Sequence, residues 1–146
     1  MTTDPHIVIE HPQWQNRAVT LICGPPGSGK TTLGLELHPS TLDIGEMPPG
    51  TPRQRMKAYG KAAHRIGRNL SADIAVVRGA PTLEERTHQQ NLCRPSKTVV
   101  LLTDAATCHD RVTKRDRSPE PGADGRGLSE QHGAIDSWWI AWESDQ

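Results

Sequence analysis

The run Val19-Thr20-Leu21-Ile22-Cys23 leads directly into Gly24-Pro25-Pro26-Gly27-Ser28-Gly29-Lys30-Thr31-Thr32, and no other stretch restricts the folding of this chain as strongly. An apolar, β-prone segment feeds a glycine-rich loop, and the loop feeds helix-compatible residues. Gly24, Gly29, Lys30 and Thr31 meet the spacing G-x-x-x-x-G-K-[ST]. Glycines let successive backbone N–H groups turn inward around a phosphate, where a Cβ would obstruct them. A helix starting near Lys30 adds its positive N-terminal end. Lys30 has the reach for β- and γ-phosphates, and the Thr31 hydroxyl suits Mg²⁺. A glycine-rich surface turn would account for the glycines, but not for the lysine, the hydroxyl and the strand–turn–helix setting together. Gly24 to Thr32 is therefore expected to bind a nucleoside triphosphate, with Pro25 and Pro26 stiffening the start of a pre-formed cradle.

The rest of the chain must support that loop within 146 residues, which allows one domain and one core. Residues 1–18 read as an N-terminal extension with an edge strand, and 19–146 as the domain proper. Only 34% of residues are hydrophobic and none is Phe, so the core is expected to rest on Val, Ile, Leu and Trp. Seventeen basic residues balance seventeen acidic ones, so only the distribution of charge can speak of partners. Cys23, Cys93 and Cys108 are odd in number and lack C-x-x-C spacing, which argues against a disulfide framework or zinc knuckle and suits a reducing compartment. The seven histidines form no H-x-x-x-H pair. The polar N-terminus predicts no signal peptide, and no run approaches the roughly 20 apolar residues of a membrane span. The expectation is a soluble cytoplasmic protein with no membrane partner.

The pattern predicts alternating strands and helices. Ile7-Val8-Ile9 reads as an edge strand, and Trp14 as either a hydrophobic cover over the sheet edge or a base-stacking residue. Val19 to Cys23 is too continuously apolar for one wet face and predicts a central parallel strand. A helix is expected over 30–37, stopping before Pro39, then a short strand over 40–44 with Asp43 near its end. The helix over 52–70 carries the apolar stripe Met56, Tyr59, Ala63, Ile66 and Leu70. A strand follows over 73–78, then a helix over 83–93 opened by a capping box at Thr82 to Glu85. A buried strand is expected over 98–102, with Asp104 or Thr103 capping a helix to Arg117. Residues 118–127 are rich in Pro and Gly and predict a mobile loop. In a last helix over 129–143, Ile135, Trp138, Trp139 and Trp142 are at core spacing. This order with long crossovers predicts a three-layer α/β/α sandwich on a mainly parallel sheet of four to five strands.

Several side chains bear on the chemistry. Arg111, Arg115 and Arg117 precede the flexible loop, and a mobile arginine there can stabilise charge on a transferring phosphoryl group; a solvated helix end is the alternative. Asp43 can accept a hydroxyl proton or hold a water on Mg²⁺, or simply cap a loop. Arg53, Lys57, Lys61 and Arg65 follow one another at i+4, either as a solvated face or as one turned to a polyanion such as nucleic acid. The strand over 73–78 ends in Arg78, where many phosphate-loop ATPases place an aspartate that organises Mg²⁺. Asp104 reads as a helix cap, which leaves Asp43 the stronger metal candidate with Thr31. Arg78 and Arg86 become candidates for gripping an anionic substrate.

From Val19 to about Trp142 the chain resembles the small phosphate-loop kinases, in particular the polynucleotide-kinase-like and zeta-toxin-like branches, which share their plan with shikimate and gluconate kinases. The resemblance rests on Gly24 to Thr32, on Asp43, on Val76-Val77-Arg78-Gly79-Ala80-Pro81-Thr82 with Arg86, and on Val99 to Leu102 followed by Arg111 and Arg115. It implies a P-loop NTPase fold, ATP and Mg²⁺ as cofactors, Asp43 as general base, Arg115 as the phosphate-stabilising residue of a lid at about 111–127, and Arg111 near adenine. Arg78 departs from the aspartate those kinases often carry. The brevity of the chain fits a minimal version such as bacteriophages encode, acting in the host cytoplasm. Three functions follow as expectations: a kinase acting on a nucleic-acid 5′ end or a nucleotide, an ATPase or nucleotide-gated DNA accessory factor, and a nucleotide-sugar kinase. The sequence has no N-K-x-D motif for reading guanine, which favours ATP.

Overall fold

A computed structural model describes residues 4–115 and 127–146. The elements are β1 (His6–Glu10), β2 (Ala18–Cys23), α1 (Lys30–Leu37), β3 (Thr41–Leu42), α2 (Pro52–Arg68), β4 (Asp73–Arg78), α3 (Leu83–Cys93), β5 (Lys97–Leu101), α4 (Ala105–Arg115) and α5 (Leu128–Ser144), with short 3₁₀ turns at Pro12–Trp14 and Ile44–Glu46. Five strands form one sheet in the order β1-β5-β2-β4-β3. β2 is central and parallel to β4 and β5, and β3 is parallel to β4. β1 runs antiparallel to β5, pairing Ile7 with Val100 and Val8 with Val99, so the sheet is mixed rather than wholly parallel.

The alternation along β2 builds a core on each face. Val19, Leu21 and Cys23 pack with Tyr59 and Ala63 of α2, Cys93 of α3 and Trp138 of α5. Ile22 points the other way, into a cluster with Leu33 of α1, Ala75, Val99 and Leu101. Each fully buried aliphatic side chain contributes about 1.5–3 kcal/mol. Helices thus cover both faces, as a layered α/β arrangement requires. Cys108 and Val112 of α4 meet Ile135 of α5 in a third cluster.

Local chemistry explains where elements begin and end. α2 opens with a capping box that the sequence reading did not single out: Gln54 N–H donates to Thr51 Oγ1 at 3.1 Å, and Thr51 N–H donates to Gln54 Oε1 at 2.9 Å. The box expected at α3 forms only its forward arm, Glu85 N–H to Thr82 Oγ1 at 3.2 Å, while Glu85 itself lines the central cleft. α2 ends at Arg68, which leaves Leu70 89% exposed and outside its apolar stripe. Asp104 caps α4 by accepting from Thr107 N–H at 2.6 Å. Trp14 is half-buried against His11 at the β1 end of the sheet. His38, at the end of α1, bonds Thr20 Oγ1 at 2.8 Å and Asp73 Oδ1 at 2.7 Å, which ties α1 to β2 and β4 at the edge of the sheet away from the loop. Among the described residues, no helix is long and apolar enough to cross a membrane.

Candidate functional site

The loop after β2 adopts the geometry its glycines permit. Gly27 and Gly29 have φ of +80° and +87°, left-handed values that L side chains rarely take. A Cβ on Gly27 would also sit 2.8 Å from the carbonyl oxygen of Cys108, because α4 packs against the loop. At Gly24 a Cβ would lie 2.7 Å from Ser28 Oγ, itself buried and without a hydrogen-bond partner. Gly24 N–H donates to Gly79 O at 3.2 Å, which anchors the loop to the end of β4. Lys30 Nζ donates to Gly24 O and Pro25 O, each at 2.9 Å, so the ammonium is held at the loop. Gly29 precedes α1, and Lys30 and Thr31 open its first turn.

Facing the loop is a cleft of about 820 Å³ at the C-terminal edge of the sheet. Gly24, Pro26, Gly27, Gly29, Lys30, Thr31 and Thr32 line one side; Pro25 and Ser28 are buried behind them. β3 brings Asp43 to the opposite side. The strand predicted over 40–44 is only two residues long, because Asp43 Oδ1 accepts from Gly45 N–H at 3.3 Å and turns the chain into a 3₁₀ turn. The other carboxylate oxygen faces α1: Thr31 Oγ1 donates to Asp43 Oδ2 at 3.2 Å. Two hard oxygen donors therefore converge beside the loop, a set that fits Mg²⁺ sharing its remaining positions with phosphates and water.

The arginines divide. Arg115 lines the cleft and donates through Nη2 to Gln131 Oε1 of α5. Arg111 lies outside the cleft lining, against the outer side of the loop. Its Nη1 reaches Gly27 O at 3.4 Å, and a two-pronged ion pair joins it to Asp4 at 2.8 and 3.2 Å. That hydrogen-bonded guanidinium holds the Asp4 carboxyl below the usual carboxylate range, and the carboxylate raises Arg111 in turn. Arg117 and residues 118–126 of the predicted loop lie outside the described residues, and so does most of the predicted lid.

Of the expected substrate-binding residues, Arg78 lines the cleft, with its guanidinium 5.2 Å from the centroid of the Tyr59 ring. Arg86 does not line it. It is 7% exposed, donates to the carbonyls of Ala80 and Pro81 at 3.2 and 2.8 Å, and lies over the Trp142 ring, as a cation that holds the β4–α3 turn together. Arg53, Lys57 and Lys61 are exposed and outside the cleft. α2 contributes Arg55 and Met56 instead, and α5 contributes Glu130 and Trp138, whose Nε1 donates to Gly79 O at 2.8 Å. Arg55 had a signal in the sequence, since it adjoins Met56 of the apolar stripe; Asp4, 107 residues from Arg111, had none. No family model matches this chain, and no curated protein matches it significantly.

Proposed function

We propose that this chain is an ATP-binding phosphotransferase of the P-loop NTPase kind that moves the γ-phosphoryl group of ATP to a hydroxyl acceptor. The observation that carries the proposal is the placement of Asp43 across one cleft from the glycine loop, with Thr31 Oγ1 and Asp43 Oδ2 3.2 Å apart. The backbone N–H groups of Gly27, Gly29 and Lys30, together with the positive end of α1, suit the triphosphate. Lys30, already at the loop, is placed to exchange backbone carbonyls for phosphate oxygens. Thr31 and Asp43 would hold Mg²⁺, which supplies charge neutralisation between the phosphates. Asp43 would orient the acceptor hydroxyl and take its proton. Arg115 enters the cleft from α4 and would steady charge on the transferring group, while Arg111 on the outer side of the loop suits the nucleotide's base end.

The test is γ-labelled ATP offered with 5′-hydroxyl DNA, 5′-hydroxyl RNA, nucleosides and sugar nucleotides. Label should appear on one acceptor class in the presence of Mg²⁺, and Lys30→Ala should abolish it. A second reading, an ATPase or nucleotide-gated accessory factor, is favoured by one observation: Arg78 stands at the end of β4, where a carboxylate for Mg²⁺ is often found. ATP turnover with no labelled acceptor in the panel would select that reading.

A further inference from the structure

Resting on the phosphotransferase reading, we propose that the acceptor is a small hydroxyl compound carrying a phosphate or carboxylate, and that Arg55 and Arg78 grip this anionic group. Four cations line the cleft: Lys30, Arg55, Arg78 and Arg115. Lys30 is tied to the loop and Arg115 to Gln131 on the triphosphate side. Arg55 and Arg78 remain on the Asp43 side, and among the described residues neither is paired with a carboxylate.

Their settings fix position without neutralising charge. Arg55 donates through Nη2 to Ile44 O at 2.8 Å, beside Asp43, while its buried Nε has no partner. Arg78 rests over the Tyr59 ring, and Tyr59 is itself locked by donating to Val77 O at 2.7 Å. β4 lies between β2 and β3, so Arg78 stands between the glycine loop and Asp43, with strands about 4.8 Å apart. Asp43, Glu85 and Glu130 also line the cleft, but none is in ion-pair contact with either guanidinium, and two half-buried cations without a direct partner are costly. An oxyanion in the cleft would supply that partner, and guanidinium groups match phosphate and carboxylate geometry. The exposed Arg53, Lys57 and Lys61 are outside this grip, so an acceptor no longer than one nucleotide suffices.

The experiment compares matched pairs, glycerol with glycerol 3-phosphate, glycerol with glycerate, and adenosine with adenosine 3′-monophosphate, by calorimetry in the presence of Mg²⁺ and a non-hydrolysable ATP analogue. The anionic member of at least one pair should bind on the order of tenfold or more tighter than its neutral partner. Arg78→Gln should remove that preference, Arg78→Lys should restore part of it, and Arg55→Gln should weaken it, with Lys57→Gln as an unchanged control. Circular dichroism checks that each variant is folded. Equal binding of the members of every pair, no binding of any probe, or a preference that survives in Arg78→Gln overturns the proposal. Anion-selective binding without label transfer from ATP leaves the grip in place and overturns the phosphotransferase reading instead.

Discussion

The Thr31 hydroxyl donates to the Asp43 carboxylate at 3.2 Å, joining the first turn of α1 to the residue that ends β3. The bond spans two elements that share no strand pairing, since β2 and β3 are separated by β4. It commits one oxygen of Asp43 toward the glycine loop, while the other holds the 3₁₀ turn at Gly45. Asp43 is thus positioned from both sides, a condition for a group that must meet a reacting atom within a fraction of an ångström.

Asp43→Asn should test that role cleanly. The amide oxygen preserves an acceptor for Thr31 or Gly45, so the thermal midpoint should barely move. Binding of ATP without Mg²⁺ should be unchanged. Phosphoryl transfer should fall by about 10²–10⁴-fold, the usual contribution of a positioned base. Wild-type transfer rates in the variant, measured with labelled ATP, would remove Asp43 from the chemistry.

The Asp4–Arg111 pair gives a prediction about acid stability. Arg111 holds the Asp4 carboxyl below its ordinary value, so the folded state binds that proton less readily than the unfolded chain does. The stabilisation is present above the unfolded value of about 3.9 and is lost as pH falls through the depressed folded value. Asp4→Asn should lower the melting temperature slightly at pH 7, by a difference that shrinks as pH falls below the unfolded value. It should also free Arg111, which touches the loop at Gly27 O, so nucleotide affinity is the second quantity to measure. Equal acid sensitivity in the two proteins would refute the linkage.

The cysteines make the opposite prediction at alkaline pH. Burial pushes the Cys23 and Cys93 thiols up to about 12 and that of Cys108 to about 11. The unfolded chain releases these protons near pH 8.5, so stability is full below that value and declines as pH rises toward the folded values. At pH 8 a thiol reagent such as Ellman's should modify none of the three in the native protein and all three in guanidinium. Rapid modification of even one under native conditions would contradict its burial.

Long apolar runs and strong breakers are legible in the sequence itself. Val19 to Cys23, Asp73 to Arg78 and the helix ending before Pro39 needed only local chemistry, and their boundaries in the fold agree to about a residue. β3 was harder because the Asp43 side chain, rather than the backbone pattern, ends it. α2 showed its apolar stripe and its i+4 basic row, but the two together hid Arg55, which lies beside the stripe and enters the cleft. Arg86 invited a ligand role because local sequence cannot reveal that the Ala80 and Pro81 carbonyls occupy it. The antiparallel pairing of β1 and the ion pair of Asp4 are contacts between distant segments, on which local patterns are silent.

Gly27 and Gly29 separate two reasons for a glycine within one loop. Both have positive φ, which costs an L residue about 1–2 kcal/mol. At Gly29 a Cβ would meet nothing within 4 Å, so Gly29→Ala should cost about that backbone strain alone. At Gly27 the added carbon would press on Cys108 O at 2.8 Å and on Val112 Cγ2 at 3.0 Å, both on α4. Relieving the overlap requires α4 to move outward, so Gly27→Ala should lose on the order of 3 kcal/mol in urea unfolding. Because α4 carries Arg111 and Arg115, the same displacement should draw both arginines away from the loop and the cleft. Gly27→Ala should therefore weaken nucleotide binding by more than its loss of stability explains at temperatures where it remains folded, whereas in Gly29→Ala the α4 arginines stay in register. Equal stability losses in the two variants would mean that α4 does not bear on the loop as its packing indicates.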